Sequence, residues 1–299
     1  MKRWWAMLAL LLLTGCAARE VPQREAPQLA VYVVEEGVVR QMDVESYVAG
    51  VVAGEMRSDW PPAALEAQAI LARTFVMKFV SEKESRYPGA DISTDVAEAQ
   101  AYNAPGVTDA IRGAVERTSG QVLVTADDRL PYTWFHAHSG GVTALAREGV
   151  DWQGAEPSHT LSTAGLDSPD APPEAAAWSA EFPAEVFLAA CRDAGSPAKG
   201  IGSVRIKQKG DSGRAVTLEV DGVEVNAARL RMALGSTVMR STLLTELASD
   251  GRTVRMQGRG YGHGVGMPQW GAYRLAREGW SGAEIALHYY KGLRLVQLW

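Results

Sequence analysis

Glycine occupies every second position in the run Gly258-Arg259-Gly260-Tyr261-Gly262-His263-Gly264-Val265-Gly266. In an extended chain, successive side chains point to opposite faces. One face of this run would then carry no side chain, and the other would present Arg259, Tyr261, His263, Val265 and Met267. A bare backbone face allows close approach by another chain segment or a ligand. No Gly-Lys-Ser/Thr follows, so the run is not a Walker phosphate loop, and it lacks the G-x-G-x-x-G spacing of dinucleotide sites. Pro268-Gln269-Trp270 opens a helical pattern directly after it, which argues against a free glycine linker.

The N-terminus carries a second constraint. Lys2 and Arg3 precede an apolar run that ends at Leu13, followed by Thr14-Gly15-Cys16. A basic start, a short apolar stretch and small residues before a cut site make an export signal. The run is shorter than the ~20 residues a membrane-spanning helix needs. Leu13-Thr14-Gly15-Cys16 resembles a lipobox, so residues 1–15 read as a signal and Cys16 as the lipidated first residue. Residues 16–28, polar with two prolines, read as a flexible tether, and the globular part spans 29–299. The other cysteine, Cys191, falls within an apolar helical stretch and reads as a buried small hydrophobe. Thirty Lys+Arg against 35 Asp+Glu gives a net charge of −5. No basic field is available for a nucleic-acid backbone, so nucleic acid is excluded as a partner.

The pattern predicts strands near residues 29–34 and 38–42, paired as a hairpin. Asp43 caps a helix bearing Tyr47, Val48, Val51 and Val52, with Gly54 at its C-terminal stop and Glu55 in the connection beyond. Ser58 or Asp59 caps a long helix to about residue 83, with Pro61 and Pro62 in its first turn. Further helices are expected at 108–117, 182–193, 226–234, 268–278 and 281–291. Strands are expected at 121–124, 130–135, 204–207, 216–220, 223–225 and 293–298. Residues 150–181 read as a long surface loop. Helices and strands are segregated, so the fold class is α+β, with mixed, mostly antiparallel strands.

Two clusters could carry chemistry. Glu55 sits beside Met56 and Trp60. A carboxyl against apolar walls has its ionised form disfavoured and can act as an acid near neutral pH. The same residue could instead be a solvated loop glutamate or a partner of Arg57 or Arg73. His136-x-His138 precedes Ser139-Gly140-Gly141. On a strand both imidazoles would share a face, yet two ligands do not make a metal site. No Gly-x-Ser-x-Gly motif or nucleophilic cysteine stands out.

Three segments together resemble the stage II sporulation protein D family. They are residues 44–56 with Trp60-Pro61, 64–69 and Ala72-Arg73-Thr74; Phe135-His136-Ala137-His138-Ser139-Gly140-Gly141; and residues 260–272. The resemblance spans roughly residues 30–299. It implies one large domain, split into two lobes around a glycan-binding groove, the second lobe within about 150–250. The implied activity is that of a peptidoglycan lytic transglycosylase acting on denuded glycan strands. Related members are amidase enhancers, so the alternative is a non-catalytic module that recruits or stimulates a cell-wall amidase. By resemblance Glu55 is the catalytic acid. Arg73, His136, Ser139, Tyr261, His263 and Gln269 are candidates for lining the groove. Some members carry a cysteine before a Gln-x-Tyr motif and are associated with zinc. This chain has Ala99-Gln100-Ala101-Tyr102 there, so no metal and no cofactor are expected. The expected location is the cell envelope, with the protein lipid-anchored, facing peptidoglycan and possible amidase partners.

Overall fold

The computed structural model describes residues 25–299; the segment expected as an export signal, Cys16 and most of the expected tether lie outside the described residues. The expected hairpin is present as β1 (Gln28–Val33) and β2 (Val38–Asp43), paired antiparallel. Asp43 then caps α1 (Val44–Glu55) by accepting from the Ser46 amide at 2.9 Å. The helix does not stop at Gly54. It runs through Glu55, because Gly54 serves packing rather than termination. A Cβ there would lie 2.7 Å from the Ala101 carbonyl carbon, and one at Gly50 would strike the Tyr102 ring. The two glycines leave a bare stripe on which the 99–103 segment lies, and the Asn103 amide donates to the Gly50 carbonyl at 2.9 Å.

The long helix α2 (Pro62–Glu82) begins with Pro61 as its N-cap and has no side-chain cap, so neither Ser58 nor Asp59 has the expected role. Proline's fixed φ, pre-set for a helix's first turn, does that work. Leu65, Ile70, Leu71 and Val76 have no exposed surface. Each contributes roughly 1.5–3 kcal/mol of burial. The helix is covered on several sides: by α1, by the helix Asp109–Arg117, and by the C-terminal helices Gln269–Arg277 and Gly282–His288. The last strand, Arg294–Gln297, pairs antiparallel with Gln121–Val124 and ties the chain's end into this first core.

A second core forms from residues between Trp178 and Met256. It holds the hairpin Ala215–Val220 with Val223–Asn226, turned at Asp221-Gly222, and the Asn226-capped helix Ala227–Ala233. Cys191 is fully buried there and burial pushes its thiol up to about 11, so it packs as a hydrophobe. One expectation fails in this region. The end of the supposed surface loop is the strand Ala177–Pro183, paired with Thr253–Arg259, which also pairs with Leu244–Ser249. Trp178 and Phe182 alternate inward on it. The prolines before it masked a period-2 signal. Among the described residues the strands form several small sheets, mostly antiparallel, with helices set apart from them, which is an α+β fold.

Candidate functional site

The glycine run is not an extended strand. Pairing ends at Arg259, and Gly260, Gly262, Gly264 and Gly266 have φ of 80°, 113°, 87° and 70°. This left-handed region is strained for any residue with a Cβ. The expected close approach is nevertheless what the glycines permit. A Cβ at Gly262 would lie 2.6 Å from the His136 Cβ, and one at Gly266 would strike the Trp134 carbonyl. The run is thereby laced to residues 134–144. His138 bridges Tyr261, Ala144 bridges Val265, and Phe135–His136 pairs parallel with Met267–Pro268. Of the strand expected at 130–135 only Phe135 is paired, together with His136 just beyond it.

This lacing brings His136, Tyr261, His263 and Gln269 to the wall of a cavity of about 570 Å³. Glu55 enters the same cavity from the last residue of α1. Gln100 and Ala101 reach it from the segment seated on the α1 glycines, and Arg231, Ser236 and Thr237 reach it from the second core. Glu55 is the one carboxylate among the described lining residues.

The surroundings of Glu55 favour its protonated form. Burial raises its pKa above the ordinary carboxylate range, partly offset by two donors. The Ala101 amide donates to Oε1 at 2.9 Å, and Gln269 Nε2 approaches Oε2 at 3.4 Å. The residue also ends a helix whose last turn has no basic side chain. The negative end of the helix dipole there works in the same direction as burial.

Both cavity histidines are held neutral. His136 Nδ1 lies 3.1 Å from the Val265 carbonyl, which places the proton on Nδ1. Its Nε2 is then a buried acceptor with no partner. Burial drives its pKa well below the ordinary value, aided by His263 and Arg214. His263 Nδ1 accepts from the Val265 amide at 3.0 Å, and burial with Arg231 and Arg214 nearby takes its pKa down to about 3. A measurable acid sensitivity follows. The unfolded chain binds a proton at each imidazole as pH falls through about 6.5, while native His263 does not until near 3. The stability these groups contribute is therefore complete above pH ~6.5 and lost progressively below it, at about 1.4 kcal/mol per pH unit for each. Urea unfolding at stepped pH between ~6.5 and ~4 should show this slope, and His263→Asn should flatten it by one proton's worth. An unchanged slope in that variant would mean that His263 is not the group responsible.

Two groove candidates lie elsewhere. Arg73 is 0% exposed. Its Nε donates to Glu45 at 3.0 Å and its Nη1 to the Gln121 carbonyl at 3.1 Å. It joins α2 to α1 and has no surface to offer a ligand. Ser139 is also fully buried; its hydroxyl donates to Asp167, and its amide donates to Asp167 Oδ1 at 2.9 Å. The histidine pair separates as well. His136 faces the cavity, while His138 accepts from the Gly140 amide at 3.0 Å and lies 3.5 Å from Asp167. Among the described residues no three His, Cys, Asp or Glu side chains come together as a metal-binding group. Sequence reasoning missed Gln100 and Arg231. Gln100 is flagged only by its place in the Gln-x-Tyr pattern, after Ala99 where some members carry cysteine, and Arg231 has no local signal.

The fold and cavity define an α+β protein with a single carboxylate, among the described residues, in the wall of a largely apolar, aromatic-lined cleft. Residues 33–124 match the family model described as stage II sporulation protein, and residues 180–266 match a domain of unknown function. The chain is 28% identical over 292 residues to the stage II sporulation protein D of Bacillus amyloliquefaciens, covering 92% of this chain and 80% of that protein. It is 28% identical over 264 residues to an uncharacterised protein of Brachyspira hyodysenteriae, covering 87% of this chain and 68% of that one. It is 27% identical over 294 residues to the amidase enhancer of Bacillus subtilis, covering 83% of this chain and 40% of the enhancer. The chain is thus similar to stage II sporulation protein D along most of its length, with the matching domain over residues 33–124. These likenesses associate it with cell-wall function.

Proposed function

We propose that the protein is a lytic transglycosylase that cuts peptidoglycan glycan strands between N-acetylmuramic acid and N-acetylglucosamine. The observation that carries this reading is the solitary, half-buried Glu55 in the cavity wall, whose pKa is raised by desolvation. Ordinary glycosidases place two carboxylates about the scissile bond, one to protonate the leaving oxygen and one to act on water or the anomeric carbon. The described cavity offers one. Lytic cleavage needs no second. Glu55 donates its proton to the glycosidic oxygen as the bond breaks. The resulting carboxylate takes the proton from the muramoyl C6 hydroxyl, which closes on C1 to a 1,6-anhydro ring. Neutral His136 and His263 do not compete as acids near neutral pH. Denuded strands, left after an amidase removes the stem peptides, are the expected substrate. A lipid on Cys16 would hold the enzyme in the envelope beside them.

Digestion of purified denuded strands followed by mass spectrometry tests the reaction. Products ending in 1,6-anhydro-N-acetylmuramic acid are expected. Free reducing ends would replace this reading with hydrolysis and require a second carboxylate. The likeness to an amidase enhancer favours a second reading, a non-catalytic module that binds strands and stimulates an amidase. In that case neither kind of end forms without the amidase.

A further inference from the structure

We propose that Arg231 reads the free lactyl carboxylate of a muramoyl unit stripped of its peptide, so that the cleft itself selects denuded strands. The proposal rests on the glycan-strand reading above and assigns its selectivity to one side chain.

Arg231 belongs to the helix Ala227–Ala233 of the second core and lines the cavity that holds Glu55. It is 7% exposed. Its guanidinium is only partly satisfied. Nε donates to the Arg240 carbonyl at 3.0 Å, and Nη2 to the Ser236 carbonyl at 3.3 Å. Nη1 meets only the Met232 sulfur at 3.7 Å. A thioether is a weak acceptor, and a guanidinium has five N–H groups, so strong donors remain unused.

The charge is also unpaired. Among the described residues no Asp or Glu forms an ion pair with Arg231. The other two buried guanidiniums differ. Arg73 is paired with Glu45, and Arg214 has Glu148 and Asp167 near enough to support its charge. For Arg231 the supporting acidic group is the Tyr261 phenol, and burial holds its pKa down at about 10. Arg240 lies over the Tyr261 ring at 5.1 Å from its centroid, so a second cation stands against the same ring. In a chain of net charge −5 this is a local concentration of positive charge. A buried charge without a counter-ion is costly. A ligand anion removes that cost, and a planar guanidinium suits a carboxylate, which it can bind through two parallel N–H donors.

The substrate supplies one such group. With the stem peptide attached, the lactyl carbonyl is an amide and carries no charge. After removal it is a carboxylate on the sugar that the cleft must hold.

Equilibrium binding of two strand preparations to the full-length protein tests this. One is denuded glycan. The other is the same glycan with its lactyl carboxylates converted to neutral methylamides by carbodiimide and methylamine. Wild type should bind the carboxylate strands about 10-fold or more tightly, the scale of a charge-assisted hydrogen bond to a buried partner. The preference should shrink at high salt. Arg231→Gln should reduce the ratio to near one, mostly by losing affinity for the carboxylate strands. The comparison of strands on wild type needs no variant to fold. Equal binding of both strands by wild type overturns the assignment of Arg231 and leaves glycan cleavage standing. A retained preference with no cleavage overturns the enzymatic reading and supports the assignment. Binding of neither strand overturns both.

Discussion

Glu55→Gln should lower glycan cleavage by roughly 10²-fold or more, the scale of losing a general acid, and leave strand binding in place. The amide keeps the shape of the side chain and can still accept from the Ala101 amide, which lies 2.9 Å from Oε1 in the native site. It cannot donate a proton to a leaving oxygen. Stability should move the other way. Because burial raises the pKa of Glu55, the native state disfavours the carboxylate that the unfolded chain forms freely. The stability this group contributes is complete below the ordinary carboxylate range and is lost as pH rises through its raised native value. At neutral pH Glu55→Gln should therefore be more stable than wild type by about 1 kcal/mol, a common gain when a strained active-site group is replaced. At pH ~4 and below that difference should vanish. Measured together, cleavage, binding and melting temperature separate catalysis from architecture. Equal cleavage by wild type and Glu55→Gln would exclude Glu55 as the acid.

Arg73→Met should cost about 3 kcal/mol and lower the melting temperature by roughly 6–12 °C. That is the expected scale for stranding one partner of a buried ion pair in a chain of this size. Glu45 would keep its bonds from the Ser119 hydroxyl at 3.1 Å, the Gly120 amide at 2.9 Å and the Trp299 indole at 3.0 Å, so the loss should fall at the low end. It would still leave a carboxylate with only 17% side-chain exposure and no cation. Adding Glu45→Gln should recover part of the loss, because the stranded charge is then gone. Strand binding by the protein that remains folded should be unchanged. A variant with native stability and weakened strand binding would restore Arg73 to the groove and contradict its burial.

The contrast between Glu55 and Arg73 shows where sequence reading succeeds. Both lie in the segment that resembles the stage II sporulation protein D family, and both are polar residues among apolar ones. Glu55 could be singled out because apolar Met56 and Trp60 flank a lone carboxyl within that motif, although the groups that meet it, Ala101 and Gln269, come from 46 and 214 residues away. Arg73 is surrounded by partners 28 and 48 residues away, Glu45 and Gln121. Nothing in its local sequence distinguishes a guanidinium facing a ligand from one closing a core. Ser139 fails for the same reason, since Asp167 is 28 residues distant. The strand Ala177–Pro183 carried its alternating Trp178 and Phe182 in plain view. Its partner is Thr253–Arg259, and without that pairing the nearby prolines dominate the reading.

The sequence by itself determined the local devices. Asp43, Thr108, Asn226 and the Ser281–Glu284 capping box start helices where expected, and Asp221-Gly222 turns its hairpin. Each works within a few residues, so each is written where it acts. The alternating glycines likewise announced a close approach of backbone to backbone. Only the tertiary structure decided that those glycines coil through positive φ instead of extending, because the space left by residues 134–144 selects the conformation. It alone set Arg231 in the lining of the Glu55 cavity, without an acid among the described residues to pair with. Burial and unpaired charge are properties of what surrounds a residue, and in this chain those surroundings arrive from distant segments.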